Sequence, residues 1–128
     1  MSSERETVDA PGAPAAIGPY SHAVRAGDLL FCSGQIPLDP ATGELVGDTP
    51  AAQARRCLEN LQKVCAAAGT SLDRAVRVTV YMTDLGAFAA VNEVYGSFFA
   101  QEAPARAAVG VVALPRGAYV EIDAIVAL

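Results

Sequence analysis

The segment PAAQARRCLENLQKVCAAAGTSLDRAVRVTVYM, Pro50–Met82, contains one helical pattern followed by one strand pattern. Apolar side chains recur at helical spacing from Ala54 to Ala68, which predicts a helix with one buried face. Thr49 is a favourable N-cap residue before this helix, and Gly69 is a favourable residue to end it. The segment therefore predicts an amphipathic helix that packs against other structure.

The residues that follow this helix alternate between apolar and polar side chains, which predicts a strand with one buried face. The side chains expected to be buried are Val76, Val78, Val80 and Met82. A helix followed by a half-buried strand is typical of an α+β domain, in which helices cover one face of a sheet.

Similar patterns on both sides complete the element order β-β-α-β-α-β-β. One strand is predicted near His22–Arg25 and another at Leu29–Gly34, and Asp84 can cap a second helix. The inward-facing residues of that helix are Phe88, Val91, Tyr95, Phe98 and Phe99. The last two strands are predicted at about Arg106–Leu114 and Tyr119–Ala127, with the turn Pro115-Arg116-Gly117 between them.

The length and composition indicate one compact domain. The chain has 128 residues and is 52% hydrophobic, which is enough for a core and excludes a disordered chain. We expect residues 1–15 to be a flexible or extended lead-in and residues 16–128 to form the domain. The net charge of −5 disfavours nucleic-acid binding, because an acidic protein repels phosphate backbones.

The sequence shows neither a signal peptide nor a membrane span. The N-terminus MSSERETVDA is polar, and no apolar run approaches the length of a transmembrane helix. A cytoplasmic location is expected by default. The cysteines Cys32, Cys57 and Cys65 are odd in number, and we expect them to be small buried apolar residues rather than a disulfide framework.

The sheet is expected to need a cover on the face that the two helices leave open. That face includes Tyr119 and Ile125, and it is too apolar to lie in water over so wide an area. Because the chain has no segment left for a third layer, another copy of it is the expected cover. The sequence therefore predicts a homo-oligomer in which sheets pack against each other.

Arg106 and Glu121 are the residues most suited to chemistry. Arg106 opens an apolar strand, and its guanidinium can hold a carboxylate at two points; alternatively it is a strand-end arginine in solvent or in a structural salt bridge. Glu121 lies within VEIDAIV and faces either solvent or a pocket. In a pocket, desolvation would raise its pKa and allow proton transfer near neutral pH. Asp123 shares its face.

The spacing of these two residues constrains where a shared site can lie. If the last two strands form a simple hairpin around Arg116, Glu121 lies opposite about Val111. Arg106 then lies roughly 15 Å further along, at the usual rise per strand residue. The two side chains could share a small ligand only if the strands pair differently or if the site spans a subunit boundary, which is a second indication of an oligomer.

Three further residues are candidates for ligand contact. Gly34 closes a strand and would allow a ligand to approach the backbone, although a turn alone would also explain a glycine. Tyr20 can cap a pocket or simply pack, and Asn92 is expected to have a specific partner, which a backbone group could supply.

Zinc-ligand spacing, a phosphate-binding loop and a histidine-based triad are all absent from the sequence, so we expect no metal and no cofactor.

Taken together, these segments resemble the RidA/YjgF family, also called the endoribonuclease L-PSP or translation-inhibitor family. The resemblance covers nearly the whole chain from Ala16, and its most specific part is PARAAV with VEIDAI at their observed spacing. The matching segments are AIGPYS (Ala16–Ser21), FCSGQIPLDPATGE (Phe31–Glu44), AAQARRCLENL (Ala51–Leu61), DLGAFAAVNEVYGSFF (Asp84–Phe99), PARAAV (Pro104–Val109) and VEIDAI (Val120–Ile125).

The resemblance implies a chorismate-mutase-like fold, with a single mixed sheet and two helices on one face, and assembly as a homotrimeric barrel with pockets at the subunit interfaces. It also implies deamination of reactive 2-enamino and 2-imino acids, such as 2-aminoacrylate, to 2-keto acids and ammonia. Arg106 matches the family's carboxylate-binding arginine and Glu121 its water-positioning glutamate. Other pocket positions are matched by Tyr20, Gly34, Asn92 and Ala108.

The sequence departs from the family pattern at three positions. Ala107 and Ala108 replace a frequent Ser/Thr-Cys pair, which removes side-chain contacts and thiol reactivity but keeps backbone contacts. His22 stands where glutamine is common. Two other functions remain as alternatives: a metabolite-binding protein that uses the same Arg106 clamp, and a ribonuclease, which the net charge and the lack of a histidine pair disfavour.

Overall fold

The computed structural model describes residues 4–128, which form one mixed β-sheet and two α-helices. The strands are β1 (Arg5–Val8), β2 (Ala23–Ala26), β3 (Leu29–Gln35), β4 (Ala75–Met82), β5 (Ala105–Gly110) and β6 (Val120–Ala127). The helices are α1 (Pro50–Ala67) and α2 (Phe88–Phe98). The strand order across the sheet is β1-β2-β3-β6-β4-β5; β4 and β5 are parallel and the other neighbours are antiparallel. The predicted α+β class with a single mixed sheet is confirmed.

Helix α1 begins and ends where the sequence predicts. The Thr49 side chain accepts a hydrogen bond from the Ala52 amide at 3.1 Å, so it satisfies a donor that the first turn leaves unpaired. The helix ends before Gly69, whose φ of +82° suits a residue without a β-carbon. Its fully buried apolar side chains are Ala54, Cys57, Leu58, Leu61, Val64 and Cys65.

The core lies between the helices and one face of the sheet. Alternate residues of β6 are buried on that face, and those of β4 continue it. The prediction for β4 is correct for Val78, Val80 and Met82 but wrong for Val76, which is 48% exposed. The register of β4 against β6 shifts between Ala75 and Arg77, and such a bulge disrupts the alternation of side chains.

The second helix is preceded by a short 3₁₀ turn. The Asp84 carboxylate accepts a hydrogen bond from the Gly86 amide at 2.8 Å, so it caps this turn rather than α2 itself. Of the five residues predicted to face inward, Val91, Tyr95 and Phe99 are buried. Phe88 and Phe98 pack at the margin of the core.

The last two strands do not form a hairpin. Strand β4 lies between them, parallel to β5 and antiparallel to β6. The turn at Pro115–Gly117 is present, but it belongs to a connection that crosses an intervening strand. The alternation of apolar residues in two successive segments does not specify which strand each one pairs with.

The lead-in contributes a sixth strand that the sequence patterns did not identify. Strand β1 pairs with β2, and Arg25 of β2 forms an ion pair with Glu6 of β1 at 2.6 Å. Three of the four β1 residues are exposed, so the segment lacks the apolar alternation that marks a half-buried strand. Within β1, Val8 enters the core, and Ala10 and Ala13 of the lead-in join it there.

The buried His22 holds the lead-in against the sheet. Its Nδ1 accepts a hydrogen bond from the Ala10 amide at 3.0 Å, which leaves Nε2 to donate to the Pro14 carbonyl oxygen at 2.7 Å. The imidazole therefore satisfies two backbone groups that would otherwise be buried without partners. This is a structural role for the chain's single histidine.

Three further features bear on the sequence predictions. The three cysteines are free and buried, as expected. On the sheet face opposite the helices, Phe31, Val109 and Tyr119 are 40–44% exposed, and no layer formed by residues 4–128 covers them. None of the helices in the described range is long and apolar enough to cross a membrane.

Replacement of His22 tests how strongly the lead-in is held. We expect His22→Ala to lower the free energy of unfolding by about 1–3 kcal/mol, because it leaves the buried Ala10 amide and Pro14 carbonyl unpaired. Chemical denaturation at one fixed protein concentration measures the change. His22→Gln, which keeps a donor and an acceptor, should lose less; equal stability of His22→Ala and the unaltered chain would contradict this role.

Candidate functional site

A cavity of about 540 Å³ opens beside the start of β6 and contains three of the predicted site residues. These are Tyr20, Gly34 and Glu121. The cavity is also lined by residues of the lead-in, of β3 and of the loop that follows it, and by the turn before β6. The remaining lining residues are Pro14, Ala15, Ile17, Ser33, Gln35, Ile36, Leu38, Pro115 and Arg116.

The Glu121 side chain lies directly over Gly34. A β-carbon added to Gly34 would come within 3.0 Å of the carboxyl carbon of Glu121 and 3.2 Å of its Cγ, with one carboxylate oxygen closer still. Real β-carbons essentially never approach another atom as closely as that oxygen, so any larger residue would displace the carboxylate. The pairing of β3 with β6 is irregular between Cys32 and Gln35, which makes room for this approach. Gly34 therefore sets the position of Glu121.

The environment of Glu121 favours its protonated form. Partial burial raises the pKa of its carboxyl group, and the negative charge of Asp123 on the same face raises it further. Asp123 itself accepts a hydrogen bond from the Tyr81 hydroxyl at 3.0 Å. Glu121 and Asp123 thus interact by charge, as their shared face predicts, and the raised pKa of Glu121 moves its proton exchange towards higher pH.

Arg106 lies in a different place, on the face that carries the helices. It pairs with the buried Val78 in the parallel β4–β5 register, and side chains paired in this way project from the same face. Its Nη1 donates a hydrogen bond to the Asn92 side-chain oxygen of α2 at 2.6 Å. The guanidinium carbon lies 5.2 Å from the ring centroid of Phe88 and 4.8 Å from that of Tyr95.

These contacts orient the Arg106 guanidinium but leave its charge available. Its partners are a neutral amide and two aromatic rings, and no carboxylate of residues 4–128 forms an ion pair with it. A guanidinium has five N–H donors, so several remain free to bind a planar anion. Asn92 has the specific partner that its position predicted, and that partner is the Arg106 side chain rather than backbone.

The structure therefore divides the six predicted site residues into two groups. Tyr20, Gly34 and Glu121 line the cavity, whereas Arg106, Asn92 and Ala108 lie on the helix-bearing side at the edge strand β5. Glu121 pairs with Tyr81 and projects from the opposite face. From the strand spacing and residue rise, the Cα atoms of Arg106 and Glu121 are roughly 14 Å apart. One chain does not bring the two groups together.

Several lining residues were not identified as candidates from the sequence. Pro14 and Ala15 belong to a lead-in with no recognisable motif, and Ile17 follows it; the His22 anchor at the Pro14 carbonyl oxygen helps to place them at the cavity. Arg116 was interpreted as a turn residue alone. A cation between a proline and a glycine, five residues before a candidate glutamate, was a usable signal for it.

Among residues 4–128, no group of three or more histidine, cysteine, aspartate or glutamate side chains is arranged to hold a metal ion. The ionisable groups that line the cavity are Tyr20, Arg116 and Glu121. The arrangement provides one proton-exchanging carboxyl group, a phenolic hydroxyl and a guanidinium around a half-open space. It is suited to the binding of a small polar molecule and to proton transfer.

The raised pKa of Glu121 predicts a pH-dependent cost to stability. The pKa of Glu121 is higher in the folded state than in the unfolded state. The protonated carboxyl group therefore contributes stability that is fully present below the unfolded pKa and is lost as pH rises through the folded pKa. We therefore expect Glu121→Gln to raise the free energy of unfolding at pH 7.5. Denaturation series at fixed protein concentration should show the difference shrinking towards zero below about pH 4.

Glu44→Gln is the matched control, since it neutralises an exposed carboxylate in the loop before α1. It should change stability little at either pH. A Glu121→Gln variant that is less stable than the unaltered chain at pH 7.5 would show that the carboxylate is stabilised in the fold, contrary to the desolvation described above.

Comparisons with known proteins agree on one family. The family model described as "Endoribonuclease L-PSP" matches residues 10–128. RutC family protein y4sK of Sinorhizobium fredii is 53% identical, over 96% of this chain and 98% of its own. The 2-iminobutanoate/2-iminopropanoate deaminase of Mus musculus is 45% identical, over 94% of this chain and 90% of its own.

A solved structure agrees with these relatives. The crystal structure of RidA from an Antarctic Psychrobacter has a TM-score of 0.92 and 45% identity, and the match covers 96% of this chain and 99% of that one. The agreement extends over sequence and fold alike and includes the segments that contain Arg106 and Glu121. The chain therefore belongs to the RidA/YjgF family, whose family model is named for endoribonuclease L-PSP.

Proposed function

We propose that this protein hydrolyses reactive 2-enamino and 2-imino acids, such as 2-aminoacrylate and the imine in equilibrium with it, to 2-keto acids and ammonia. The observation that carries the proposal is the Glu121 carboxyl group, held over Gly34 in a cavity and with a raised pKa. The mouse relative named 2-iminobutanoate/2-iminopropanoate deaminase, at 45% identity, supports the same reaction class.

The proposed reaction adds water across a carbon–nitrogen double bond. Glu121 removes a proton from the water as the water oxygen bonds to the imine carbon, and the imine nitrogen takes up a proton from solvent. Glu121 then returns its proton to the nitrogen, the carbon–nitrogen bond breaks, and ammonia leaves as the hydroxyl group releases its proton to solvent and becomes the carbonyl group. Such positioned proton transfer typically contributes about 10²–10⁴-fold, which is sufficient for substrates that already react with water unaided.

In this proposal Arg106 holds the substrate carboxylate, and it does so from a neighbouring copy. The preceding geometry supports this arrangement, because the Arg106 charge is uncompensated by the described carboxylates and lies across the sheet from Glu121 of its own chain. The exposed apolar side chains on the open sheet face favour packing against other copies. We propose a homotrimer in which three such sites lie between subunits.

The main alternative is that the protein is a non-enzymatic binding protein for small metabolites. A binding protein would use the same Arg106 clamp but would have no need of the Glu121 proton, so Glu121→Gln distinguishes it. A ribonuclease, despite the family model's name, is disfavoured by two observations. The net charge is −5, and both ring nitrogens of His22 are occupied by backbone groups. Acid–base cleavage of RNA by histidine would need them free.

A coupled assay tests the proposed reaction. A PLP-dependent dehydratase generates 2-aminoacrylate from serine, and release of the keto acid is timed with and without this protein. We expect Glu121→Gln to lower kcat by at least about 10²-fold, because it removes the proton acceptor. Arg106→Ala should chiefly raise KM, because the carboxylate is bound in the ground state and the transition state alike.

Matched controls are Glu44→Gln and Arg74→Ala, which remove one charge of the same sign outside the proposed site. Both should retain the activity of the unaltered protein. The proposal is rejected if the unaltered protein does not accelerate keto-acid release. If Glu121→Gln is fully active while Arg106→Ala is impaired, the carboxylate-binding role survives and the proton-transfer role is wrong.

A further inference from the structure

Arg116 lies at the rim of the cavity that contains Glu121, in the turn that leads into β6. It is supplied by the same chain as Glu121, in contrast to the proposed contribution of Arg106 from a neighbour. Among the described residues that line the cavity, Arg116 carries the positive charge and Glu121 the negative one. The position of Arg116 thus makes it a candidate to contact part of the ligand.

The Arg116 guanidinium is not neutralised within the described part of the chain. Its observed contact is a long hydrogen bond, 3.4 Å, from Nη2 to the Gly43 carbonyl oxygen. None of the ion pairs formed by residues 4–128 includes it. This contact ties the turn to the loop after β3, while most of the guanidinium donors stay free.

The backbone at Arg116 is unusual for an arginine. Its φ of +62° and ψ of +16° lie in the left-handed region, which costs free energy for a residue with a β-carbon. The adjacent Gly117, with φ of +73°, adopts the same region without that penalty. A turn that only needed to reverse the chain would be better served by glycine or asparagine, so an arginine at this position carries a cost to the fold.

Because the charge around the cavity is negative, a cation at its rim affects the binding of anionic ligands. The protein carries a net charge of −5, and Glu121 in the cavity, with Asp123 on the same sheet face beside it, adds negative charge near the site when both are ionised. A ligand with two carboxylates would be repelled here more strongly than a ligand with one. The cavity volume of about 540 Å³ also leaves room for a side chain longer than a methyl group.

We propose that Arg116 binds a second carboxylate at the cavity rim, so that the site accepts 2-imino acids with an acidic side chain as well as those with an apolar one. This inference deepens the proposed function and rests on it for the identity of the reacting group. Glu121 acts at the imine carbon, a neighbouring Arg106 holds the shared carboxylate, and Arg116 holds the side-chain carboxylate. Arg116 is then a specificity-determining residue.

Equilibrium binding of 2-keto acids tests this inference without relying on catalysis. Calorimetry would compare 2-oxoglutarate, which has two carboxylates, with 2-oxobutanoate, which has one. We expect the unaltered protein to prefer the dicarboxylate by roughly 2- to 5-fold, as for one exposed ion pair. Arg116→Gln should abolish this preference and leave 2-oxobutanoate binding unchanged, whereas Arg116→Lys should keep most of it.

Arg74→Gln is the matched control, because Arg74 is also exposed and also donates to backbone carbonyl oxygens, but lies outside this cavity. It should preserve the preference. The inference is overturned if the unaltered protein binds 2-oxoglutarate no better than 2-oxobutanoate, or if Arg116→Gln weakens both ligands equally, which would make Arg116 a general carboxylate clamp. Failure of the proposed function is a separate result, since it would appear as absent hydrolysis of 2-aminoacrylate.

Discussion

The position of β4 between β5 and β6 is the constraint on which the site depends. Because β4 pairs with both strands, Arg106 on β5 and Glu121 on β6 are separated by a full strand and project from opposite faces of the sheet. A rearranged side chain cannot remove that separation, since it is set by backbone register. A small ligand that touches both groups must therefore meet them from two different copies of the chain.

Each half of the site is organised within its own chain. On one side, Asn92 and the rings of Phe88 and Tyr95 orient the Arg106 guanidinium without neutralising it. On the other side, the missing side chain of Gly34 allows the Glu121 carboxyl group to lie against the backbone, where its pKa is raised. In the proposed homotrimer, assembly would then need only to bring two prepared surfaces together, with little further ordering of side chains.

The lead-in shows how the fold and the site are connected. His22 anchors Ala10 and Pro14 to β2, and the residues just beyond Pro14 form part of the cavity wall. This part of the wall is consequently built from a segment that is held by β1–β2 pairing, by the buried side chains of Val8, Ala10 and Ala13, and by one buried imidazole. Its polar composition explains why such a segment resembles a flexible tail when only the sequence is considered.

Local features of the chain could be predicted well because they depend on local chemistry. The Thr49 cap, the buried face of α1 and the inward alternation of Val78, Val80 and Met82 follow from capping and periodicity. The pairing of β5 with β4 could not be predicted in this way, because alternation fixes which side chains are buried and leaves the strand partner open. The division of the site into two groups follows from that pairing.

The six site residues could likewise be identified from local motifs, but their arrangement in space could not be predicted. Motif resemblance named both groups without indicating that they lie on opposite faces. The relation between Gly34 and Glu121 is a contact between strands, so no spacing in the sequence encodes it. Arg116 was overlooked because its position between a proline and a glycine was fully explained by a turn.

Complementation between two impaired variants, assayed at a substrate concentration well below KM, tests the shared site most directly. Arg106→Ala and Glu121→Gln chains would be mixed in equal amounts, unfolded, refolded together and assayed for 2-aminoacrylate hydrolysis. If each site takes its arginine and its glutamate from different chains, random assembly pairs two intact residues in about a quarter of the sites. Recovery of about a quarter of the unaltered activity is the predicted result, and a mixture as inactive as either variant alone would contradict it.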